Sequence, residues 1–263
     1  MMANPGFRAS SGDYGFSPGA ARITLPRGVD PTGLEWIHFM TDGLVAALRN
    51  WAPGKSGLDA VVTGSPIEHD GYLELKSNTN FLTMHLTDSG QSITRFIGSR
   101  DVSTQTGTDR FFFGGAGFAG SPTIHGANIF TAAANSVQGS ARYSNGSSPV
   151  SRNVFLPVAG GPASPMRLFT LTTGGVGSTA GTDDDLRVSE YVSGASGSEA
   201  QGDGYARVGT GAKFGSGGAT AVTITGSGHS WIDIGFSRVL SAKEKLIMTD
   251  WLIKTGQAHG HYL

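Results

Sequence analysis

The chain has 263 residues and no cysteine. Disulfide bonds and thiolate-bound zinc are therefore excluded, and the fold must hold by packing and hydrogen bonding alone. Charge is also scarce. Only 15% of residues are Asp, Glu, Lys or Arg, with 19 basic against 20 acidic side chains and a formal net charge of -1. A chain with no basic surplus has no field to draw in a phosphate backbone, which argues against nucleic acid as a partner. No run approaches the ~18 consecutive apolar residues of a membrane-spanning helix, so no membrane insertion is expected. The opening Met1-Met2-Ala3-Asn4-Pro5-Gly6 lacks the basic-then-apolar pattern of a secretory leader. The expectation is synthesis in a host cytoplasm and exit by a route other than secretion, such as lysis.

Glycine is abundant instead, at 41 of 263 residues, about twice its ordinary share of ~7%. It follows no Gly-X-Y period, so collagen is excluded. Glycines scattered among short apolar runs mark turns, bulges and close backbone approaches. Strand-like runs recur at Leu34–Met40, Gly71–Lys76, Phe81–Leu86, Ser92–Ile97, Arg110–Phe113, Ile124–Phe130, Arg167–Thr172, Asp185–Val192, Tyr205–Val208, Ala221–Thr225 and Ser230–Phe236. Many short strands with turn signals between them predict a sandwich or barrel, and no βαβ alternation is visible. Leu44–Trp51 fits either a helical turn or a strand, and Glu68-His69-Asp70 reads as a loop. Residues 1–33 are turn-rich (Pro5-Gly6, Ser17-Pro18-Gly19, Pro26-Arg27-Gly28, Asp30-Pro31) and read as an N-terminal arm that packs either on its own sandwich or, as an attachment or oligomer contact, on a neighbouring subunit. Residues 34–263 read as the sandwich.

One helix is expected, at 242–255. Ser241 and Glu244 have the spacing of a capping box, Leu246, Ile247, Trp251 and Ile253 supply an apolar stripe, and Gly256 suits the left-handed residue after the end. Trp231 and Trp251 lie in apolar settings and are assigned to the core.

Three segments resemble the concanavalin A-like lectin/glucanase superfamily in its laminin-G-like form. The first runs from Asp42-Gly43-Leu44-Val45-Ala46 through Leu58–Gly64 to Gly71-Tyr72-Leu73-Glu74-Leu75. The second is Arg167–Thr172 followed by Leu186–Gly194. The third, Ile232-Asp233-Ile234-Gly235-Phe236-Ser237-Arg238-Val239-Leu240-Ser241-Ala242-Lys243-Glu244, is similar to the family's ending and is the most specific. The resemblance covers roughly residues 42–255. It implies a jelly-roll of two antiparallel sheets with a C-terminal helix, in which Asp233, Arg238, Ser241 and Glu244 are structural and Asp233 and Arg238 tie the last strand to the helix. The glycine-rich, cysteine-free style also resembles bacteriophage tail-fibre, tail-tip and decoration proteins.

Retaining glycosidases need two carboxylates about 5 Å apart, which a strand supplies at i and i+2. Around Asp233 the flanking positions hold Trp231 and Ser237, so no such pair exists and no catalytic residue is assigned. Sugar binding needs flat aromatic faces beside amides or carboxylates. The candidates are Trp36, Trp51, Tyr72, Tyr143, Tyr191 and Tyr205, with Asn78, Asn80, Asn128 and Asn145. Asp183, Asp184, Asp185 and Asp203 cluster on loops as hard oxygen ligands, which makes calcium the one cofactor to test; a solvated acidic turn is the plain alternative. His259-Gly260-His261 reads as an exposed tail. Phe111-Phe112-Phe113 must place rings on both faces of a strand, so both faces should be covered.

These readings converge on a phage virion structural protein, surface-exposed, with a lectin-like sandwich contacting host cell-surface glycans. It would associate with other virion proteins and with itself, a trimer being one such assembly, although no heptad is present to enforce it. Two alternatives stay open: a purely architectural decoration or fibre-anchor protein, and a polysaccharide depolymerase with an unrecognised site.

Overall fold

The computed structural model describes residues 23–87, 92–116, 118–119, 124–125, 127–133, 135–144, 149–158, 161, 163–175, 185–200, 211–216 and 224–261. In chain order it begins with β1 (Leu34–Phe39), α1 (Leu44–Leu48), β2 (Val61–Thr63), β3 (Ile67–His69), β4 (Tyr72–Lys76), β5 (Phe81–Thr87) and β6 (Ile93–Asp101). It continues with β7 (Phe112–Ala116), β8 (Phe118–Ala119), β9 (Ile124–His125), β10 (Asn128–Ala133), β11 (Ser136–Ser144) and β12 (Pro149–Leu156). β13 (Arg167–Thr173), β14 (Leu186–Glu190), β15 (Ser196–Glu199), β16 (Gly211–Phe214), β17 (Ser227–Phe236) and α2 (Ala242–Ala258) complete it. One sheet has the order β15-β14-β13-β6-β17-β4-β3, the other β12-β11-β10-β7-β16-β5-β2, and β8 and β9 form a small hairpin. All these pairings are antiparallel. The protein is thus an all-β sandwich with a C-terminal helix.

β17 organises the first sheet. β6 pairs along one side of it, while β4 (through Ser227–Ser230) and β1 (through Ile232–Phe236) share the other side end to end. A bulge at Trp231 separates the two stretches. Extra residues in a ladder re-aim side chains, and here the bulge lets both Trp231 and Ile232 join the apolar layer outside the sheet.

The free edge of β1 meets no strand among the described residues. Instead the Asn50 side chain accepts from Ile37 N at 3.2 Å and donates to Glu35 O at 2.9 Å, and Trp51 N donates to Ile37 O.

Two apolar layers result. Between the sheets lie Trp36, Leu73, Leu75, Leu82, Ile97, Phe111, Phe113, Phe169, Leu171 and Phe214. Outside the first sheet, Ile37, Phe96, Trp231, Ile234 and Phe236 pack against Met248, Trp251 and Leu252 of α2 and against Ile23, Leu25 and Val29. The phenylalanine triplet serves both directions: Phe111 and Phe113 point between the sheets, while Phe112 faces out and is covered by Ile224 and Phe130. Part of the glycine content follows from this packing. A Cβ on Gly235 would stand 2.1 Å from the Trp36 ring, and one on Gly98 would stand 2.1 Å from the Trp231 indole nitrogen.

Several expectations are corrected. α2 continues to Ala258, so Gly256 is a buried helical residue and Gly260, at φ 79°, takes the left-handed role. The helix buries Met248, Trp251, Leu252, Thr255 and Gly256, a face spaced at three and four residues, which turns Leu246 outward at 71% exposure. Glu68 and His69 belong to strand β3 rather than a loop. Leu44–Leu48 is helical. The C-terminal histidines dock rather than trail: His261 is buried and its Nε2 lies 2.9 Å from Gly71 O. Of two further expected strands, 205–208 lies outside the described residues, as do 221–223 of the other, whose remaining Ile224 and Thr225 are not in a strand.

Candidate functional site

The outer face of the second sheet carries no helix among the described residues. Across β10, β11 and β12 the register places Phe130 opposite Gln138 and Gln138 opposite Phe155. One step along, Asn128 stands opposite Ser140 and Ser140 opposite Asn153. Residues directly opposite one another share a face, so six side chains form two adjacent rows: ring–amide–ring and amide–hydroxyl–amide. None is charged. Gly139, Ile129 and Val154, the intervening residues, point inward, with Ile129 and Val154 in the inter-sheet core.

The rows are open at every position but Asn128, which is buried at 5% exposure, and they are held in place. Phe155 is 60% exposed. Asn153 is exposed too, and Gln138, Ser140 and Phe130 are half-buried. Gln138 Nε2 donates to Asn153 Oδ1 at 2.8 Å, which fixes both amides and leaves their remaining donor and acceptor for a ligand. The Phe130 ring rests on Phe112 at 5.1 Å between centroids. Strand spacing puts the Phe130 and Phe155 positions about 10 Å apart. The chemistry on offer is apolar contact at two rings with neutral hydrogen bonding between them.

The residues singled out from the sequence do not assemble into one site. Trp36 is fully buried between the sheets and donates its indole N–H to Asp233 Oδ1 at 3.1 Å, so it presents nothing to a ligand. Trp51 sits after α1, its N–H bonded to Ala46 O and Arg49 4.3 Å above its ring. A cleft of about 720 Å³ runs along residues 45–59, lined by Arg49, Asn50 and Ala52, the neighbours of Trp51, and not by Trp51. Asn78 adopts φ 62° in the β4–β5 turn, donating to Ile224 O and accepting from Ser216 Oγ. Asn80 accepts from Ser65 N. Both amides are thus engaged in tying the turn to other segments of the chain. Tyr191 is 48% exposed in the β14–β15 turn, far along the chain pairing from the others. Tyr143 lies on β11 with its side chain outside the described residues, and Asn145 and Tyr205 lie outside them altogether. So do Asp183, Asp184 and Asp203; Asp185 is buried with its carboxylate 3.9 Å from Arg187. Among the described residues no group of three or more His, Cys, Asp or Glu side chains is arranged to hold a metal.

Tyr72 belongs to a different cluster. On the outer face of β3, β4, β17 and β6, His69 stacks on Tyr72 at 4.7 Å and His229 stacks on it at 4.3 Å. Arg100 Nε donates to His229 Nδ1 at 3.1 Å. The His229 proton therefore sits on Nε2, which faces Glu74 Oε2 at 3.9 Å. His69 Nε2 lies 3.2 Å from the same carboxylate oxygen. Burial, with the Arg100 charge beside it, pushes the His229 imidazole down to about 4. Burial likewise lowers His261 and His259 nearby. The aromatic surface of Tyr72 is thus packed on imidazoles.

The residues expected to be structural divide differently from the expectation. Arg238 does join α2: its guanidinium binds Glu244 Oε1 at 2.6 Å and reaches back to the carbonyls of Asp30 and Thr32. Ser241 and Glu244 form the capping box, and the Arg238 contact with the two Ser241 bonds holds the Glu244 carboxyl down at about 2. Asp233 points the other way, because β17 alternates. It lies between the sheets, bonded to Arg95 Nε at 2.9 Å and Nη2 at 2.5 Å, while Arg95 also donates to Lys213 O across the sandwich.

No protein-family model and no curated protein matches the sequence significantly. The fold has counterparts among solved structures. It is similar to the binding domain of botulinum neurotoxin serotype D (9% identity, TM-score 0.56, covering 85% of this chain and 52% of that one). It is similar to the serotype G binding domain (13% identity, TM-score 0.56, 84% and 51%). A third is the binding domain of botulinum neurotoxin DC in complex with SialylT (11% identity, TM-score 0.50, 84% and 52%). The chain spans about half the length of these domains. At such identities the likeness establishes the fold.

Of the six residues in the two rows, the sequence reading had singled out Asn128 alone. β11 and β12 were missed because small and polar residues interrupt their apolar positions, Gly139 and Ser140 in the first and Ser151, Arg152 and Asn153 in the second. The signal that was available is the alternation Ser151-Asn153-Phe155 against Arg152-Val154-Leu156, period two over one strand.

Proposed function

We propose that this chain is a carbohydrate-binding β-sandwich, and that its ligand face is the exposed surface of β10, β11 and β12. The observation that carries the reading is the pair of uncharged cross-strand rows, Phe130–Gln138–Phe155 and Asn128–Ser140–Asn153. Sugar rings offer C–H faces that stack on aromatic rings and hydroxyls that need directional partners. Rings flanking amides meet both demands, and the absence of charge from the rows suits a neutral saccharide. Support comes from the solved neighbours, described as receptor-binding domains, one of them held with SialylT.

The test is a glycan array followed by calorimetry on wild type, Phe155→Ala and Gln138→Ala. Phe155 is solvent-facing, so its removal should change stability by no more than about 0.5 kcal/mol. Its loss should weaken a neutral saccharide about tenfold, the worth of one ring contact. A wild-type protein that retains no glycan, or one whose binding survives both substitutions, defeats the proposal.

The wider setting we propose is a virion surface, on the strength of composition: 41 glycines, no cysteine and a net charge of -1. Immunogold labelling of purified particles tests it, and unlabelled particles would overturn it.

A further inference from the structure

α2 ends in a turn that aims the chain back at the first sheet. His261 N donates to Gly256 O at 2.9 Å and Gly260 N to Gln257 O at 3.1 Å, with Gly260 at φ 79°. Such a pair of bonds, closed over a left-handed glycine, reverses the chain direction. His261 is carried onto the β3–β4 turn, where its Nε2 meets Gly71 O at 2.9 Å and its ring lies 5.4 Å from that of Trp231. The residue keeps 8% of its surface exposed. A carbonyl accepts and cannot donate, so Nε2 carries the hydrogen and Nδ1 of the neutral ring carries none.

Groups that are positive, or become so in acid, gather around this seat. Arg100 on β6 donates to His229 on β17, His69 on β3 lies 5.6 Å from His229, and His259 is two residues upstream in the tail itself. Tyr72 of β4 is stacked between His69 and His229. The carboxylates are committed or turned to solvent. Glu74 of β4 faces His69 at 3.2 Å and His229 at 3.9 Å. Asp42, in the β1–α1 turn, attracts His259. Glu68 of β3 and Asp70 of the following turn are exposed. Burial pushes the His261 imidazole below its ordinary 6.5; charge on His259 and Arg100 adds to this, and the Gly71 bond opposes it. Burial lowers the half-buried His259 as well, against the pull of Asp42.

We propose that residues 259–261 form a latch that acid releases: neutral His261 fastens the end of α2 to the β3–β4 turn, and protonation of His259 and His261 sets it free. A freed tail histidine takes its proton more readily than a docked one. Docking is therefore at full strength above pH 6.5 and weakens as pH falls below it. Each histidine that gains a proton on release steepens the opening by at most about tenfold per pH unit. Release bares the side of Trp231 that the His261 ring covers and frees the last turn of α2. The latch belongs to the first sheet and is independent of the carbohydrate reading of the second.

The experiment measures backbone amide protection factors by hydrogen exchange from pH 7 to about pH 5, in wild type, His261→Gln and His259→Gln. The reporter is the residue 261 amide, bonded to Gly256 O. The amides of Ile97 and Ile234, in the central strands β6 and β17, are the reference. The expected result is loss of most of the residue 261 protection over this range while the reference amides keep theirs. Glutamine retains an N–H for Gly71 O and cannot titrate, so His261→Gln should decline less with pH than wild type. Should glutamine fail to seat, visible as lost protection at pH 7, His259→Gln carries the test, and its decline must be shallower than that of wild type. Protection at residue 261 that is independent of pH overturns the latch. So does loss in step with Ile97 and Ile234, which is global unfolding. So does a decline equally steep in wild type and in every variant that seats.

Discussion

The two outer faces of the sandwich have opposite fates. The first sheet buries Ile37, Phe96, Trp231, Ile234 and Phe236 under α2 and residues 23–29. The second sheet leaves Phe155 at 60% exposure, beside an exposed asparagine and a half-buried glutamine. Both sheets obey the same alternation, yet among the described residues only the first is roofed by a helix. The roofed face contributes the free energy of a second core, while the bare face must be polar enough to stay in water and so is free to vary toward a ligand.

Substitutions sharpen or break this contrast. The largest effect is expected at Trp251→Ala, which removes a side chain wedged between α2 and the sheet. It should cost about 3–5 kcal/mol, read from the urea midpoint. A cost equal to that of Phe155→Ala would show that the helix is not a structural roof, and the distinction between the faces would fail.

Acid should separate the faces next. The His229 value is depressed to about 4 from 6.5, so the unfolded chain binds the proton first. Stability is then fully present above about pH 6.5 and declines as pH falls toward 4. For a side chain at 14% exposure beside Glu74 and His69 the total is about 1–3 kcal/mol. Denaturant midpoints taken from pH 7 to pH 4 in wild type and His229→Gln should show a shallower decline in the variant. Parallel curves would place the acid sensitivity at the other histidines that burial lowers, His38, His85, His259 and His261.

The smallest change is expected at the rim of the roof. Ser241→Ala removes the hydroxyl that accepts Glu244 N at 3.3 Å and should cost about 1 kcal/mol, measured as a drop in Tm. No drop would mean that the Arg238 contact alone seats the helix start.

Much of the architecture was legible in the sequence, for reasons that differ by region. The strands around Leu73, Phe96, Phe169 and Ile234 carry alternating or continuous apolar residues, and the Ser241–Glu244 spacing announces the helix. In the second sheet β5, β7 and β10 overlap runs that read as strands, whereas β11 and β12 were not legible. β11 reads Ser-Val-Gln-Gly-Ser-Ala-Arg-Tyr-Ser, where only alternate small residues need face the core, and hydropathy barely registers them. The aromatic candidates failed individually for the same cause. A tryptophan or tyrosine in a single sequence shows its chemistry but not its neighbours. Trp36 went to the interior because Gly235 leaves room for its ring, and Tyr72 was packed by histidines 160 positions apart in the chain, an arrangement only strand pairing creates. The C-terminal histidines were misjudged because a short tail carries no period, whereas its docking depends on one carbonyl at Gly71.

The amide of Asn50 has a consequence for assembly. By offering one oxygen and one nitrogen where an adjacent peptide group would otherwise bond, it occupies the hydrogen-bonding groups of β1 that a foreign strand would need. Growth of the first sheet from one molecule into the next is thereby blocked at β1, and any self-association of this protein must proceed through side chains rather than by a shared sheet at that border.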